Sequence, residues 1–152
     1  KYLIYSDSYI SNKIKFIKRA GDSFEYYGMK SLTNKTVGVV RDYGYGDVFL
    51  NATHFEKPTS NDIETNLKKL KINRIDLTLE DEFVAKSMIR RKNLTLSDYE
   101  FTKNSLSENS LHVTTGSINP RGREIIDAFN KGLIIIKGNG VFERILADYG
   151  LN

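Results

Sequence analysis

The chain has 152 residues, 39% of them apolar and 28% charged, enough to bury a sizeable core in an ordinary globular fold. Its formal charge of +4 comes from 23 basic and 19 acidic residues spread along the chain, so the basic clusters Lys68-Lys69 and Arg90-Arg91-Lys92 read as solvated helix faces and no nucleic-acid partner is expected. The absence of cysteine excludes disulfides and thiolate metal sites, and no run approaches the roughly 18 apolar residues of a membrane span.

Residues 2–5 read as a strand, and 14–19 as a short strand or irregular apolar piece, before a turn at Gly21-Asp22. Thr36–Val40 is nearly all apolar, as in a buried parallel strand. Arg41-Asp42-Tyr43-Gly44-Tyr45-Gly46 then opens a helix through about Asn51, and Phe55 lies in a short strand before Pro58. Residues 61–72 form the next helix, with Ile63, Leu67 and Leu70 on one stripe, Asn61 as its cap and Glu64 in the capping-box position. The alternation Ile75, Leu77, Leu79 marks a strand over 75–79 that ends in Glu80, Asp81 and Glu82. A helix from about 82 to 92 uses Val84, Ala85, Met88 and Ile89. The polar stretch 93–110 supports no assignment, and Leu111–Thr115 reads as a strand. Pro120 suits the first turn of a helix to about Lys137; Gly138-Asn139-Gly140 breaks it, and a last helix at 141–149 stops at Gly150. Strands alternating with helices predict an α/β fold with a parallel-rich sheet flanked by helices.

Two places on this layout suit a ligand. Acidic groups at the carboxyl end of a strand lie where open α/β sheets hold their ligands, which singles out residues 80–82. A helix opening directly after the buried strand would present free amide groups to an anion, with Gly44 and Gly46 allowing close approach. The segment is not a P-loop, because the Gly-Lys-Ser/Thr ending is missing. Structural roles compete: an ordinary strand-to-helix turn at 41–46, and helix caps for Asp42 and Asp81. Asp76 suits the helix-to-strand turn. His54 and His112 are single histidines without a second ligand at metal spacing, and no serine elbow is present, so neither a metal nor a cofactor is expected.

The order helix, Asn-Arg, Ile-Asp, strand, Asp-Glu over residues 61–82 resembles the "aLkxGRxDxxxxDe" segment of periplasmic solute-binding proteins serving polar amino-acid ABC transporters (family 3, type II periplasmic-binding-protein-like). Tyr5-Ser6-Asp7-Ser8-Tyr9 is similar to "FSxPY", with Ser8 in place of proline; residues 32–39 are similar to "dLkGkxVgV", with Asn34 in place of glycine. Phe129–Leu133 with Lys137–Gly140 resembles "fNxaLxxlkxdG", and Ile145–Gly150 resembles the closing "IlxkYG".

The resemblance implies a type II periplasmic-binding-protein-like lobe at 9–112. Residues 1–8 and 113–152 would be interlobe crossings and C-terminal helices of a first lobe, most of it upstream of Lys1 together with a carboxylate-clamping arginine. It implies a small polar ligand, such as an amino acid or a related molecule, held between lobes, with an ABC permease as partner and a periplasmic or extracellular location. The full-length protein would be a monomer. A segment limited to 1–152 would bind weakly and associate through Val141, Phe142, Ile145 and Leu146. Asp81 aligns with the family's ammonium-binding aspartate. Asp42-Tyr43-Gly44 stands where the family has "GST" or "GTT", so the carboxylate-binding hydroxyl is absent; Arg41 offers a fork of donors instead, and Tyr43 and Tyr45 offer walls. The expected ligand-binding set is therefore Arg41, Tyr43, Gly44, Tyr45 and Asp81, with no catalytic residue and no enzyme activity. Alternatives are the ligand-sensing domain of a receptor, a cyclohexadienyl-dehydratase-like enzyme using Asp81 or Glu82, and a basic nucleic-acid-binding domain.

Overall fold

Seven strands and five α-helices form over residues 2–150, the part of the chain that the computed structural model describes. In chain order they are β1 (Leu3–Tyr5), β2 (Ile10–Arg19), β3 (Val37–Val40), α1 (Asp47–Leu50), β4 (Thr59–Ser60), α2 (Ile63–Lys71), β5 (Leu77–Asp81), α3 (Glu82–Arg91), β6 (Tyr99–Leu111), β7 (Thr114–Gly116), α4 (Gly122–Gly138) and α5 (Val141–Asp148). Single 3₁₀ turns occupy Met29–Leu32 and Leu96–Asp98. Strands β1 and β7 pair antiparallel, with Ile4 opposite Thr115. The other five form a mixed sheet in the order β4-β3-β5-β2-β6. In it β3 runs parallel to β4 and β5, while β2 runs antiparallel to β5. The α/β class read from the sequence is thus the class observed.

The chain forms two compact units, Lys13–Glu108, and Lys1–Asn12 with Asn109–Asn152. In the first, the stripe Ile63, Leu67 and Leu70 of α2 packs with Ile17, Ile75, Ala85 and Ile89 on one side of the sheet. Phe16, Leu77, Leu79, Val37, Tyr45 and Phe49 make the core on the other. Burying side chains of this size removes roughly 1.5–3 kcal/mol of hydration cost apiece. Helix α2 lies close to β3 because position 38 is glycine. A Cβ there would stand 2.6 Å from Ile75 Cδ1 and 2.9 Å from Asn66 Oδ1.

Several local expectations shift. The cap of α2 is Asp62, whose Oδ1 accepts the Thr65 amide at 2.7 Å; Asn61 is one residue too early. Glu64 points instead to Lys68 and Lys92. The strand expected over 75–79 is displaced two residues, because the Asp76 carboxylate accepts the Thr36 amide at 2.8 Å and fixes the turn in front of it. Around Phe55 there is only an isolated bridge, Thr36 to Glu56, and the strand lies after Pro58. The unassigned stretch 93–110 is mostly β6, an edge strand. A chain segment lies along its open edge. The Lys103 amide donates to Glu25 Oε2 at 2.9 Å, and the Asn104 side chain donates to the Tyr26 carbonyl at 2.9 Å. Glu25 also pairs with the buried Lys18 at 3.2 Å.

In the second unit, Ser6 ties the passage after β1 to the passage before β7. The Val113 amide donates to Ser6 Oγ at 2.9 Å, and the Ser6 carbonyl accepts from His112 Nδ1 at 2.7 Å. Helices α4 and α5 meet at Gly140, which has φ 78. Gly150 takes the left-handed conformation expected of a helix stop, with φ 67. Phe142 and Ile145 of α5 join Tyr9, Phe129, Leu133 and Ile136 around an apolar hollow of about 450 Å³.

Candidate functional site

The site lies in the Lys13–Glu108 unit, where the chain leaves β3 and β5 at their carboxyl ends. After β3 the backbone does not enter a helix. Asp42 takes a left-handed conformation, φ 58, and Tyr43 donates its amide back to the Val40 carbonyl. A tight turn therefore fills 41–46, and α1 begins only at Asp47, after Gly46 at φ 85. Two expectations change. Asp42 is not a helix cap, and the segment is not a helix N-terminus offering amides to an anion. Gly46 is needed for its φ, whereas a Cβ on Gly44 would meet nothing within 4 Å.

The turn does bring three of the expected residues together. Arg41, Asp42, Tyr43 and Tyr45 line an open groove of about 430 Å³ with Lys57 and Thr59. The rings of Tyr43 and Tyr45 lie 5.2 Å apart. Tyr45 is buried, and its hydroxyl accepts the Val40 amide at 3.0 Å. Burial pushes the Tyr45 hydroxyl up to about 12, against the pull of that amide, and the nearby Glu80 adds to the rise. Lys57 donates its ammonium to the Ala52 carbonyl and stands over the Phe55 ring at 4.4 Å.

Tyr43 is the link to β5. It is 38% exposed, and its hydroxyl donates to Glu80 Oε1 at 2.7 Å. Burial, then this hydrogen bond, hold the Tyr43 hydroxyl far above its ordinary value. The same Glu80 oxygen accepts the Asp81 amide at 2.9 Å. Glu80 is only 3% exposed, and burial raises its carboxyl above the ordinary range although the two hydrogen bonds oppose the rise.

Asp81 is equally buried, 2% exposed, but in another setting. Its Oδ1 accepts the amides of Phe83 and Val84 at 3.0 Å each, which makes it the N-cap of α3, and Oδ2 accepts the Lys13 amide at 3.2 Å. Glu82 points elsewhere, to Lys15 at 2.6 Å and Lys86 at 2.7 Å. Burial alone would raise Glu82, yet the two lysines hold it below the ordinary carboxylate range. Three consecutive acids thus occupy three environments. Sequence reasoning passed over Glu80, since its partner Tyr43 is 37 residues away. The available signal was its place in a strand whose residues are all buried.

Among the described residues no three His, Asp or Glu side chains gather as a metal site, and no helix is long and apolar enough to cross a membrane. No family model and no curated protein matches the sequence. Solved structures do match the fold. The second substrate-binding domain of an amino acid ABC transporter from Streptococcus pneumoniae aligns with TM-score 0.74 and 24% identity, over 97% of this chain and 65% of that one. The amino acid ABC transporter substrate-binding protein AbpA of the same organism, bound to L-arginine, aligns with TM-score 0.69 and 18% identity, over 97% and 61%. The GluR0 ligand-binding core from Nostoc punctiforme, in complex with L-glutamate, aligns with TM-score 0.66 and 16% identity, over 99% and 66%. The chain therefore has the fold of amino-acid substrate-binding proteins, and it spans about two-thirds of the length of these neighbours.

Proposed function

We propose that this chain is the main part of a solute-binding protein for an ABC importer, holding a small polar molecule such as an amino acid at the periplasmic or outer side of the membrane. The observation that supports it best is the meeting of Arg41, Tyr43 and Tyr45 along one open groove, with the Tyr43 hydroxyl bonded to Glu80 of β5, on the fold such proteins use. Arg41, exposed at the rim, faces an acid group with its planar fork of donors. Gly44 leaves space for the ligand beside the backbone. The amine side belongs to the strand end, where the sequence resemblance designates Asp81. Preorganised charges and donors supply the binding energy, and no bond is made or broken. A permease is the partner, and the full-length protein acts as a monomer. The GluR0 core favours one second reading, the same module as the ligand-sensing domain of a receptor.

Calorimetry of the full-length protein against a panel of amino acids and polyamines tests the reading. At least one is expected to bind, and Arg41→Ala is expected to weaken an acid-bearing ligand about tenfold, or about 1.4 kcal/mol. Failure of every panel member to bind would overturn it.

A further inference from the structure

Gly138-Asn139-Gly140 ends α4 and starts α5, and the groove around residues 41–46 makes no use of it. Asn139 is the one asparagine of the chain that glycine follows, and all three residues are exposed. Asn139 comes after the last turn of α4 at ψ 8, and its side chain folds forward, so that Oδ1 accepts the Val141 amide at 3.1 Å. The Gly140 amide lies between these two groups and donates to no acceptor among the described residues. A Cβ at Gly138 or at Gly140 would meet nothing within 4 Å, so the backbone on both sides of Asn139 has room to turn.

These features suit one reaction. The next backbone nitrogen can reach an asparagine side-chain carbonyl by closing a five-membered ring, and asparagine is among the thermolabile residues of proteins. Elsewhere that nitrogen is usually held in a hydrogen bond and screened by the side chain that follows. At Gly140 it is neither. The bond from Val141 polarises the Asn139 side-chain carbonyl, and it stabilises the negative charge that gathers on Oδ1 as the nitrogen adds.

We propose that Asn139 is a modification site, deamidated in the folded protein to aspartate and isoaspartate through a succinimide. The Gly140 nitrogen gives its proton to hydroxide and bonds to Cγ of Asn139 after a turn about the Asn139 Cα–C bond. The Cγ–Nδ2 bond breaks, and Nδ2 leaves as ammonia with a proton taken from water, which restores the hydroxide. A water molecule then opens the ring on either side of the nitrogen. Cleavage at Cγ gives aspartate on the original main chain, and cleavage at the backbone carbonyl carbon gives isoaspartate, whose main chain runs through Cβ and Cγ. Aspartate keeps an acceptor for the Val141 amide and adds a negative charge ahead of the first turn of α5. Isoaspartate lengthens the link between the helices by one carbon, and so shifts Phe142 and Ile145 of α5 against Phe129 and Leu133 of α4 around their shared hollow.

The test incubates the folded full-length protein at mildly alkaline pH and maps its peptides by mass spectrometry, with an isoaspartate-specific methyltransferase to identify the isoaspartate. Conversion at Asn139 should outpace that at Asn104 and Asn109, each followed by serine, by about tenfold or more. Both products should appear. Asn139→Gln, where attack would have to close a larger ring, should leave that peptide unconverted over the same time. Conversion no faster than at Asn104 and Asn109, or seen only in a parallel sample unfolded in urea, overturns the inference. Aspartate without isoaspartate overturns it too, because that outcome marks direct hydrolysis of the side-chain amide. Each of these results leaves the solute-binding reading as it stands.

Discussion

Helices α2 and α4 carry comparable apolar stripes and meet different fates. In the Lys13–Glu108 unit, Leu67 of α2 is 0% exposed, because β3 and β5 offer it an apolar sheet face. In the other unit, α4 buries Ile126 and Leu133 on one face and carries further isoleucines round the helix, where Ile134 is 68% and Ile135 62% exposed. An amphipathic pattern therefore gives a helix and a preferred face. Apolar residues off that face stay exposed unless the chain places something opposite them.

The sharpest way to break this contrast is by truncation. Leu67→Ala should cost about 3–5 kcal/mol in denaturant unfolding, since the sheet cannot collapse into the space left. Were Ile134→Ala to cost as much, the contrast between the two helices would be false.

A middle effect is expected at Asp81. Asp81→Ala removes the α3 cap and leaves the Lys13 amide without its acceptor, a loss of about 1–2 kcal/mol in the same experiment. A change below about 0.5 kcal/mol would mean that water replaces the carboxylate at the helix end.

Glu80 should show itself as a slope. Its folded carboxyl lies above the unfolded value, so the folded state binds the extra proton between the two. Its ionised form therefore lowers stability at neutral pH, and the penalty is relieved as pH falls through the raised value toward that of the unfolded chain. Relative to Glu80→Gln, the unaltered protein should gain stability over that window, as read by unfolding at a series of pH values. The absence of a slope would show that Glu80 is well solvated, and an opposite slope that folding favours its ionised form.

The smallest effect belongs to the exposed face of α4. Ile134→Ser should change stability by no more than about 0.5 kcal/mol. A larger loss would show that the isoleucine is covered in solution.

How much of this was legible in the sequence follows from how local each cause is. The run α2, β5, α3 could be read because its signals lie within a few residues: the stripe of Ile63, Leu67 and Leu70, then the alternating leucines. Residues 41–46 read as the opening of a helix or as an ordinary strand-to-helix turn, and the second is observed, because only the backbone reveals that Asp42 goes left-handed. Strand β6 was missed because it is an edge strand rich in Lys103, Asn104 and Ser105, with one neighbour and little need for apolar alternation. Of the expected site, Arg41, Tyr43 and Tyr45 do share a groove, and Asp81 lies beside Glu80. What spacing could not reveal was which partner each acid meets. That depends on Lys15, Lys86 and Tyr43, each brought in by another element.

Glu25 on the open edge of β6 has a consequence for self-association. An edge strand with free amides can template a strand of another molecule, the first step toward fibrils. Here the Lys103 amide is occupied by a carboxylate that this very bond, more than the attraction of Lys18, holds below the ordinary range. At neutral pH this amide is closed to newcomers. In acid, as pH falls through the lowered Glu25 value, the carboxylate takes up a proton and its grip on the amide weakens. Acidification should then favour edge-to-edge growth of ordered aggregates before the cores on either side of the sheet are lost.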